Sequence, residues 1–599
     1  MKSYLKLTAS LCLLMFMACN SGGSGSEQAY ASEQTVPEVN DWIVVHQLVE
    51  PDMLLPTHYA TVSSDILCNQ LIFQGMMQYD PHTLEPRPIL AKSRPEVSPN
   101  GLEYTFTIRA SAKWDDGSPV TAQDYITTLK IIRNPVVNTR LVHYLDFIKD
   151  VTADPQNLKK FTVITHNKGV NNEIRMSDFM VLPAYVYDPE GIMNAFTLPQ
   201  LQADYDKLAE NAEIQRFAKS YLSEKHKREK GFVSGSGPYA LGEWSTGQQV
   251  SLERKAQWWG DQEQDSLLTA WPKRLIFKTV NDPNAAVMDL KAGRLDLMYA
   301  IKPNTFQSLE QNAEVVKNYQ LLRADMFSLS FLGMNMKPSG NRKPFFTDAR
   351  VRKALAHLLD VNKAIESFIF GYARRINGPV PFLKTDEYND TLPFIDFNIQ
   401  EARRLLKDAG WEDSNGNGTI DKMINGKRVE FEFEFAYGQS VEVRKNIGLM
   451  FAEDARKAGI KINVVGYENP VLVEKMASHN LDMMYFTLSL VPGPTDLKEQ
   501  FHTTSWVNGG FNFMGFGSAE TDALIDALPA ETDPQKRRQM IFNLQDIIYK
   551  EAPCIFLFSS QNLMAIHRRI QNVQTTVVRP SFILSRMWVP QDLTRYDKK

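Results

Sequence analysis

The sequence predicts a mixed α/β protein of two or more domains. Its 599 residues exceed the size at which a single hydrophobic core stops growing and a chain divides into domains. The composition is 43% hydrophobic, 11% aromatic and 23% charged, which is ordinary for a folded protein. Strand-like runs alternate with amphipathic helical segments along the chain, and this alternation is typical of α/β domains.

Three runs illustrate the predicted strands. Residues 42–45 form a short apolar run, and residues 104–109 alternate apolar and polar side chains with a period of two. Residues 430–435 alternate more strictly, with three Phe on one face and three Glu on the other. Such a strand belongs to a sheet with one buried face and one solvated face.

The predicted helices are marked by their caps and apolar stripes. Asn398 is followed three residues later by Glu401, as in a capping box. Residues 348–360 place an apolar stripe opposite basic side chains. Another helix is expected to begin at Asp533 and to end before Pro553. We expect these stripes to face the core.

The first residues have the pattern of an export signal. Lys2 and Lys6 precede an apolar stretch of about ten residues, which is too short to cross ~30 Å of hydrocarbon at ~1.5 Å per residue. Ala18 supplies a small residue directly before Cys19. We therefore predict a signal peptide over residues 1–18 and a lipid on Cys19, which would anchor the chain without spanning the membrane. An ordinary secretory signal cleaved nearby is the alternative.

Residues 19–37 are predicted to form a lipidated flexible tether. Residues 20–26 are Asn, Ser and Gly alone, so they have almost no apolar surface to bury. Dense hydrophobic patterning begins only at Trp42. A tether of this kind holds a folded domain away from a surface.

Charge and cysteine content exclude several functions. The formal net charge is −4, and loss of Lys2 and Lys6 with the signal would take it to −6, which argues against a nucleic-acid partner. Outside the signal region only Cys68 and Cys554 remain, either as a disulfide or as two buried thiols. Because no Cys-x-x-Cys and no His-x-x-x-His pair is present, we expect neither a metal site nor a cofactor.

One loop resembles part of a calcium-binding loop. Asp413, Asn415, Asn417 and Asp421 place oxygen atoms at the first, third, fifth and ninth positions. The twelfth position is Ile424, so the bidentate Glu is missing. The loop is a weak calcium candidate, and a polar turn is the favoured interpretation.

Four segments carry a resemblance to a known family. The first joins an alternating strand to an Asp-Gly turn before a helix, and the second contains Gly-Ser-Gly-Pro-Tyr. In order, the segments lie within residues 88–124, 235–260, 285–296 and 331–360. Together they resemble the extracytoplasmic solute-binding proteins of ABC importers, in the family that includes oligopeptide-, dipeptide- and nickel-binding proteins. Each segment alone is a weak signal, but their order and spacing are specific.

The resemblance implies a bilobal, periplasmic-binding-protein-like fold of type II with an extra domain. Two α/β lobes would close over a central cleft, in an equilibrium biased by ligand contacts. The implied domains are lobe 1 at residues 38–77, 230–328 and 554–599, the extra domain at 78–229, and lobe 2 at 329–553. The implied hinge residues are Phe327, Ser328 and Leu329 at one crossing and Pro553, Cys554 and Ile555 at the other.

Recognition of a peptide amino terminus is in question. In the oligopeptide branch of the family, a cleft loop carries an aspartate that pairs with the α-amino group. The matching position here is Ser489 or Leu490, and Asp496 follows a few residues later. A buried ammonium without a carboxylate partner is costly. Asp496 is therefore the candidate substitute, with a solvated loop carboxylate as the alternative.

Further ligand-binding candidates come from segments that the resemblance implies are near the cleft. They are Tyr59, Thr61, Val62, Trp506, Asn508, Phe511 and Phe558. Core packing of the aromatic side chains and solvation of the polar ones are the alternatives. Together these residues predict a roomy aromatic pocket with few fixed charges.

The resemblance implies a membrane-tethered receptor that delivers peptides or peptide-like solutes to ABC permease subunits and is not an enzyme. We expect a monomer on the periplasmic or cell-surface side of a membrane. A receptor for a nickel chelate or a sugar is the first alternative. An exported hydrolase is the second, although the sequence has no Gly-x-Ser-x-Gly and no His-Glu-x-x-His motif. An adhesin or scaffold that has lost transport is the third.

Overall fold

The structure, a computed structural model, describes residues 41–139, 141–337, 342–507 and 510–595. The predicted signal peptide, the tether and Cys19 lie outside these ranges, as does Asn508. Within the described residues, no helix has the length and apolar character that a membrane crossing requires.

Twenty strands are assigned within the described ranges. In chain order they are β1 (Trp42–Gln47), β2 (Met77–Tyr79), β3 (Pro86–Pro88), β4 (Glu96–Val97), β5 (Glu103–Thr107), β6 (Ile148–Ala153), β7 (Lys160–Thr165), β8 (Tyr239–Ser245), β9 (Gln249–Arg254), β10 (Arg274–Thr279), β11 (Leu297–Met298), β12 (Tyr319–Asp325), β13 (Ser328–Met334), β14 (Ala373–Arg375), β15 (Asp421–Ile424), β16 (Lys427–Glu430), β17 (Glu432–Gly438), β18 (Lys461–Tyr467), β19 (Met483–Ser489) and β20 (Cys554–His567).

Twenty α-helices are assigned in the same ranges. They are α1 (Val62–Leu67), α2 (Ala122–Ile132), α3 (Leu141–Tyr144), α4 (Asn172–Arg175), α5 (Ala184–Tyr187), α6 (Leu198–Ala203), α7 (Tyr205–Leu208), α8 (Ala212–Tyr221), α9 (Glu224–Arg228), α10 (Pro283–Lys291), α11 (Pro303–Glu310), α12 (Ala313–Asn318), α13 (Ala349–His357), α14 (Val361–Ile369), α15 (Ile399–Asp408), α16 (Glu442–Lys457), α17 (Asn469–Ala477), α18 (Lys498–Phe501), α19 (Ala519–Ala527) and α20 (Pro534–Glu551).

One long strand, β20, joins two halves of the largest sheet. Ten strands follow one another in the order β18-β17-β19-β13-β20-β11-β1-β10-β9-β8, and β12 and β14 also pair with β20. The start of β20 pairs with β13 and β14, whereas residues 561–567 pair with β12. We call β1 and β8–β12 the first half of the sheet, and β13, β14 and β17–β19 the second half.

The first crossing between the halves lies between β12 and β13. Met326 and Phe327 connect the two strands, and Ser328 and Leu329 are already the first residues of β13. The backbone oxygen of Phe327 accepts a hydrogen bond of 2.8 Å from the N–H of Leu490. The predicted hinge residues at this crossing therefore lie at the junction itself.

The second crossing lies further along the chain than the sequence suggested. Pro553 precedes β20, and Cys554 and Ile555 pair with β13 inside the second half. Phe558 still pairs with β13, whereas Gln561 pairs with β12. The predicted hinge residues 553–555 therefore lie at the start of β20, and the change of partners lies between Phe558 and Gln561.

The elements predicted from local patterns are present. The alternating segment is β16 and β17 with a break between them, and Phe433 and Phe435 are buried while Glu432 pairs with Lys461 at 2.8 Å. Asn398 caps α15 by accepting a 3.0 Å hydrogen bond from a backbone N–H. The segment 348–360 contains α13, which ends at His357, and the next helix starts at Val361.

The local structure bears on two alternatives that the sequence left open. Cys68 and Cys554 are buried free thiols, not a disulfide. In the calcium-like loop, Asp413 accepts three backbone N–H bonds, Asn415 and Asn417 each accept one, and Asp421 accepts from Ser414.

These loop oxygens are turned onto their own backbone, as in a polar turn. Over the described ranges, no group of three or more His, Cys, Asp or Glu is placed to hold a metal ion.

Candidate functional site

A cavity of about 420 Å³ lies where the two halves of the sheet meet, and we call it the central cavity. Its lining comes from both halves: β13, β19 and the first turn of α16 on one side, and residues 299–303 and 579–580 on the other, with β20 running between them. A ligand in this cavity would therefore contact both halves at once.

Aromatic side chains form much of the cavity wall. Tyr299, Tyr372, Tyr485 and Phe558 all line it. Burial raises the pKa of Tyr299 to about 12, and burial together with Glu310 raises that of Tyr372 to about 12. These phenols therefore stay neutral and present both apolar ring surface and hydroxyl groups to a ligand.

The strand register brings hydroxyl groups to the floor of the cavity. Ser330 lies opposite Thr487 in the β13–β19 pair, and their side-chain oxygens are 3.2 Å apart. Tyr485 lies opposite Leu332 on the same face. Burial raises the pKa of Tyr485, while its hydrogen bonds with Ser330 and Thr487 oppose that shift. The floor can therefore both donate and accept hydrogen bonds.

Arg444 brings positive charge to the cavity. It lies in the first turn of α16, and its guanidinium is 5.4 Å from the centre of the Tyr485 ring. Burial lowers the pKa of Arg444, and no carboxylate of the described residues lies within ion-pair distance of it. The N-terminal end of α16 adds the positive end of the helix dipole at the same place. This side of the cavity is suited to an anion.

Arg579 links the first half of the molecule to the end of β19. Its Nη2 donates to the side-chain oxygen of Ser489 at 2.9 Å. The adjacent Pro580 accepts a 2.8 Å hydrogen bond from Asn562, whose side-chain oxygen in turn accepts the N–H of Ala300. The segment that carries Arg579 is thus fastened to β20 and reaches across the cavity.

The charge of the central cavity is one-sided. Lys302, Arg444 and Arg579 line it, and its described lining includes no Asp, Glu or His. The sequence predicted an aromatic pocket with few fixed charges. The structure has the aromatic lining, and it also has three cationic side chains that the sequence did not predict. These side chains come from segments that no sequence pattern connected.

A second cavity of about 290 Å³, which we call the side cavity, adjoins the first. Arg579 lines both cavities. Val62 lines the central cavity and Asp65, one turn later on α1, lines the side cavity. Asp178 and Tyr79 are also in its lining.

Five of the predicted ligand-binding residues lie at or beside the cavities. Val62 and Phe558 line the central cavity, and Ser489 holds Arg579. Tyr59 donates a 2.7 Å hydrogen bond to Asp65 of the side cavity, and Thr61 is the N-cap of α1. Val62 and Phe558 are thus part of a cavity wall, and the other three hold in place residues or elements that line a cavity.

The other predicted residues line neither cavity. Leu490 contributes only its backbone N–H to the first crossing, and Asp496 is exposed and accepts the N–H of Lys498 at 2.9 Å. Trp506 stacks on His479 with ring centres 3.6 Å apart. Phe511 is 41% exposed, with its ring 6.3 Å from that of Phe486. Asn508 lies outside the described residues.

The family membership follows from comparison with known proteins. The sequence profile described as bacterial extracellular solute-binding proteins, family 5 Middle, matches residues 85–507, well over half of the chain. The chain belongs to the bacterial extracellular solute-binding proteins of family 5. The family is one of solute-binding proteins.

Individual relatives agree with this assignment. The chain is 24% identical to the oligopeptide-binding protein AppA of Bacillus subtilis (strain 168) over 589 residues, covering 97% of this chain and 98% of that protein. It is 23% identical to the glutathione-binding protein GsiB of Salmonella typhimurium (strain LT2) over 503 residues, covering 83% of this chain and 85% of that protein.

Solved structures confirm the predicted fold class. The structure of AppA from Bacillus subtilis in complex with a nonapeptide matches with a TM-score of 0.69 at 22% identity, over 93% of this chain and 100% of that one. NikZ from Campylobacter jejuni in complex with Ni(L-His) matches with a TM-score of 0.68 at 21% identity, over 90% and 97%. The protein therefore has the two-lobe type II α/β fold.

Sequence reasoning missed most of the cavity. Tyr299, Tyr372, Arg444, Tyr485 and Arg579 were not predicted. For Arg444 one signal was available, because α16 starts directly after β17, a strand that pairs in parallel with both its neighbours. Ligands of open α/β sheets bind outside the carboxyl ends of such strands. The other four residues carry no comparable local signal.

Proposed function

We propose that this protein is the substrate-binding receptor of an ABC importer and that it captures peptides or peptide-like solutes for delivery to permease subunits. The observation that carries the proposal is the central cavity, which both halves of the sheet line and which combines aromatic walls with three cationic side chains. A peptide offers what this lining binds: apolar side chains, backbone amides and a carboxylate.

The carboxylate of the solute would pair with Arg444. A guanidinium binds a carboxylate through two parallel N–H···O bonds, which are among the stronger hydrogen bonds in proteins. Because Arg444 is half-buried without a carboxylate partner among the described residues, a ligand carboxylate would supply the missing counter-charge. Tyr485, Ser330 and Thr487 would hydrogen-bond to the backbone of the same ligand.

The names of relatives support the peptide class. Two curated relatives are named for oligopeptide and glutathione binding, and one structural neighbour was solved with a nonapeptide. Another neighbour holds Ni(L-His). A nickel chelate or a sugar therefore stays the competing class of solute, and the experiment below includes it.

Capture would occur by closure of two lobes. The prediction divides the chain into lobe 1 at residues 38–77, 230–328 and 554–599, the extra domain at 78–229, and lobe 2 at 329–553, and we propose this division with the last boundary moved to residues 558–561, where β20 changes partners. The shared strand β20, and the crossing between β12 and β13, support hinges at residues 326–328 and 558–561. The bond from Arg579 to Ser489 would form on closure.

We further propose that the mature chain is a lipoprotein on the periplasmic or cell-surface side of a membrane, acylated at Cys19. The small residue before Cys19 and the short apolar stretch support this. Incorporation of a labelled fatty acid into the wild-type protein, and none into Cys19→Ala, is the expected result. Equal labelling of both proteins would rule out this anchor.

Native mass spectrometry tests the ligand class directly. The protein is purified without denaturant and its co-purified small molecules are identified. A mixed population of short peptides is the expected result. A single defined metabolite, a metal chelate or a sugar would overturn the peptide assignment while leaving the receptor function in place.

A further inference from the structure

The side chain of Arg579 lies between the two cavities. Of the residues that the structure describes, it alone lines both the central cavity of about 420 Å³ and the side cavity of about 290 Å³. Two segments of the chain run along both cavities. Val62 and Pro580 line the central cavity, whereas Asp65 and Phe582 from the same two segments line the side cavity. The cavities are therefore neighbours in one cleft, and Arg579 forms the boundary between them.

The Arg579 side chain crosses the cleft from one wall to the other. It starts in the segment that follows β20, and its Nη2 donates a 2.9 Å hydrogen bond to the side-chain oxygen of Ser489. Ser489 is the last residue of β19, which belongs to the second half of the sheet. A ligand that extends from the central cavity into the side cavity would have to displace the guanidinium from Ser489.

The backbone that carries Arg579 is held in a tight turn. The N–H of Ser581 donates to the carbonyl oxygen of Val578 at 2.8 Å. The side chain of Asn562, on β20, donates to the carbonyl oxygen of Pro580 at 2.8 Å. Arg579 thus has a fixed base, so a ligand that passes this point has to move the side chain and not the segment.

The bond between Arg579 and Ser489 has a limited strength. Both side chains are exposed, so solvent competes for the bond, and its loss costs about as much as the loss of one hydrogen bond to a charged group. This corresponds to roughly a factor of ten in a binding constant. A ligand confined to the central cavity keeps the bond, whereas a ligand that reaches past Arg579 loses it.

The side cavity beyond Arg579 is bounded by a loop of the second half. A Cβ on Gly493, in the loop after β19, would collide with the hydroxyl of Tyr79 in the cavity lining. Gly493 has φ +100°, a conformation that glycine adopts without strain. The loop therefore packs its backbone directly against this wall of the side cavity, and a longer ligand would meet protein there.

We propose that Arg579 limits the length of the ligand: together with Ser489 it confines bound peptides to the central cavity, and longer peptides have to displace it. The inference rests on the proposed function and names short peptides as the substrate class. The central cavity, at about 420 Å³, lies near the lower end of the ~300–1,000 Å³ that ligand pockets span. Arg579 determines specificity by its position, while Arg444 pairs with the carboxylate.

A series of peptides of graded length tests the inference. The full-length protein is mixed with an equimolar pool of free-acid peptides of two to eight residues, each consisting of Ala-Phe followed by zero to six alanines. The amount of each retained peptide is measured by native mass spectrometry. We expect retention by the wild-type protein to fall about tenfold once the peptide is long enough to reach Arg579.

Two variants make the assay specific. Arg579→Ala should retain the longer peptides as well as the shorter ones, and Ser489→Ala, which removes only the acceptor, should reduce the fall to a few-fold. Because Arg579→Ala also removes a charge from the central cavity, the measured quantity is the ratio of long to short peptides, which a uniform loss of affinity leaves unchanged. Arg456→Ala, an exposed arginine in the last turn of α16, is the control and should keep the wild-type ratio.

The outcomes separate the length limit from the receptor function. If retention by the wild-type protein does not depend on length, or if folded Arg579→Ala keeps the wild-type ratio, the length limit is refuted and the receptor stands. If melting temperatures show that Arg579→Ala does not fold, Ser489→Ala decides alone, and an unchanged tenfold fall refutes the inference. If the wild-type protein retains no peptide of the series, the peptide receptor itself is refuted.

Discussion

Replacing Arg444 by Met tests how the central cavity binds its ligand. Met keeps a long, flexible apolar side chain on the first turn of α16 and removes the guanidinium. The variant therefore changes the charge of the cavity with little change in its volume. The ligand pair for the test is a peptide retained by the wild-type protein and the same peptide with an amidated carboxyl terminus.

The expected loss of affinity follows from the environment of Arg444. Hydrogen bonds to charged groups contribute about 1.5–3 kcal/mol each, and about 1.4 kcal/mol corresponds to a factor of ten in affinity. A bidentate carboxylate pair with Arg444 is thus expected to be worth on the order of 100-fold in Kd. The variant should be no less stable than the wild type, because burial lowers the pKa of a guanidinium that has no carboxylate partner in the described structure.

Titration calorimetry with both peptides decides the result. We expect Arg444→Met to weaken binding of the free-acid peptide on the order of 100-fold in Kd, and binding of the amidated peptide only a few-fold. Arg444→Lys should lie between, because Lys keeps the charge but loses the bidentate geometry. The control is Lys445→Met, which removes an exposed cation next along the same helix. Equal losses for the free acid and the amide would refute the carboxylate contact.

Three further predictions concern stability and thiol chemistry. Arg569→Met should lower the free energy of unfolding by about 3–5 kcal/mol in urea titrations, because it removes the buried guanidinium that pairs with the buried Asp296 at 2.6 Å; a change below about 1 kcal/mol would contradict this. Burial lowers the pKa of His567 to about 4, whereas the unfolded chain has a value of about 6.5. Folding therefore favours the neutral imidazole, and the free energy of unfolding should decrease as the pH falls from 6.5 to 4. His567→Gln should reduce this loss, and an unchanged pH profile of unfolding would exclude the effect. Burial raises the thiol pKa of Cys68 and Cys554, so iodoacetamide should leave both thiols unmodified in the folded protein. After unfolding, it should modify both without added reductant, because they do not form a disulfide.

The sequence predicted the elements whose signals are local. The Asn398 cap, the alternation that becomes β17, and the helix beginning at Pro534 each depend on residues within a few positions of one another. The strand pairing depends on distant partners. The position of the second crossing could not be predicted for this reason, since the continuity of β20 through Phe558 follows from its pairing with β13 and β12.

The cavity was harder to predict because its residues come from separate segments. The contact between Ser489 and Arg579 joins positions 90 residues apart, and neither segment has a pattern that names the other. The family resemblance directed attention to the loop after β19, where an aspartate was expected. That loop instead reaches the side cavity through Gly493, and the carboxylates there come from α1 and from Asp178.

The charge of the central cavity gives a physical reason for closure to depend on the ligand. Arg444 lines the central cavity from α16, whereas Lys302 and Arg579 line it from the opposite side, so the proposed closure would bring like charges together in a partly desolvated space. Like charges repel more strongly as the effective dielectric constant falls, and closure around water is disfavoured for that reason. An anionic group between the cations converts this repulsion into attraction from both sides. The ligand then favours the closed state by its differential affinity for that state, which is the only means by which binding shifts such an equilibrium.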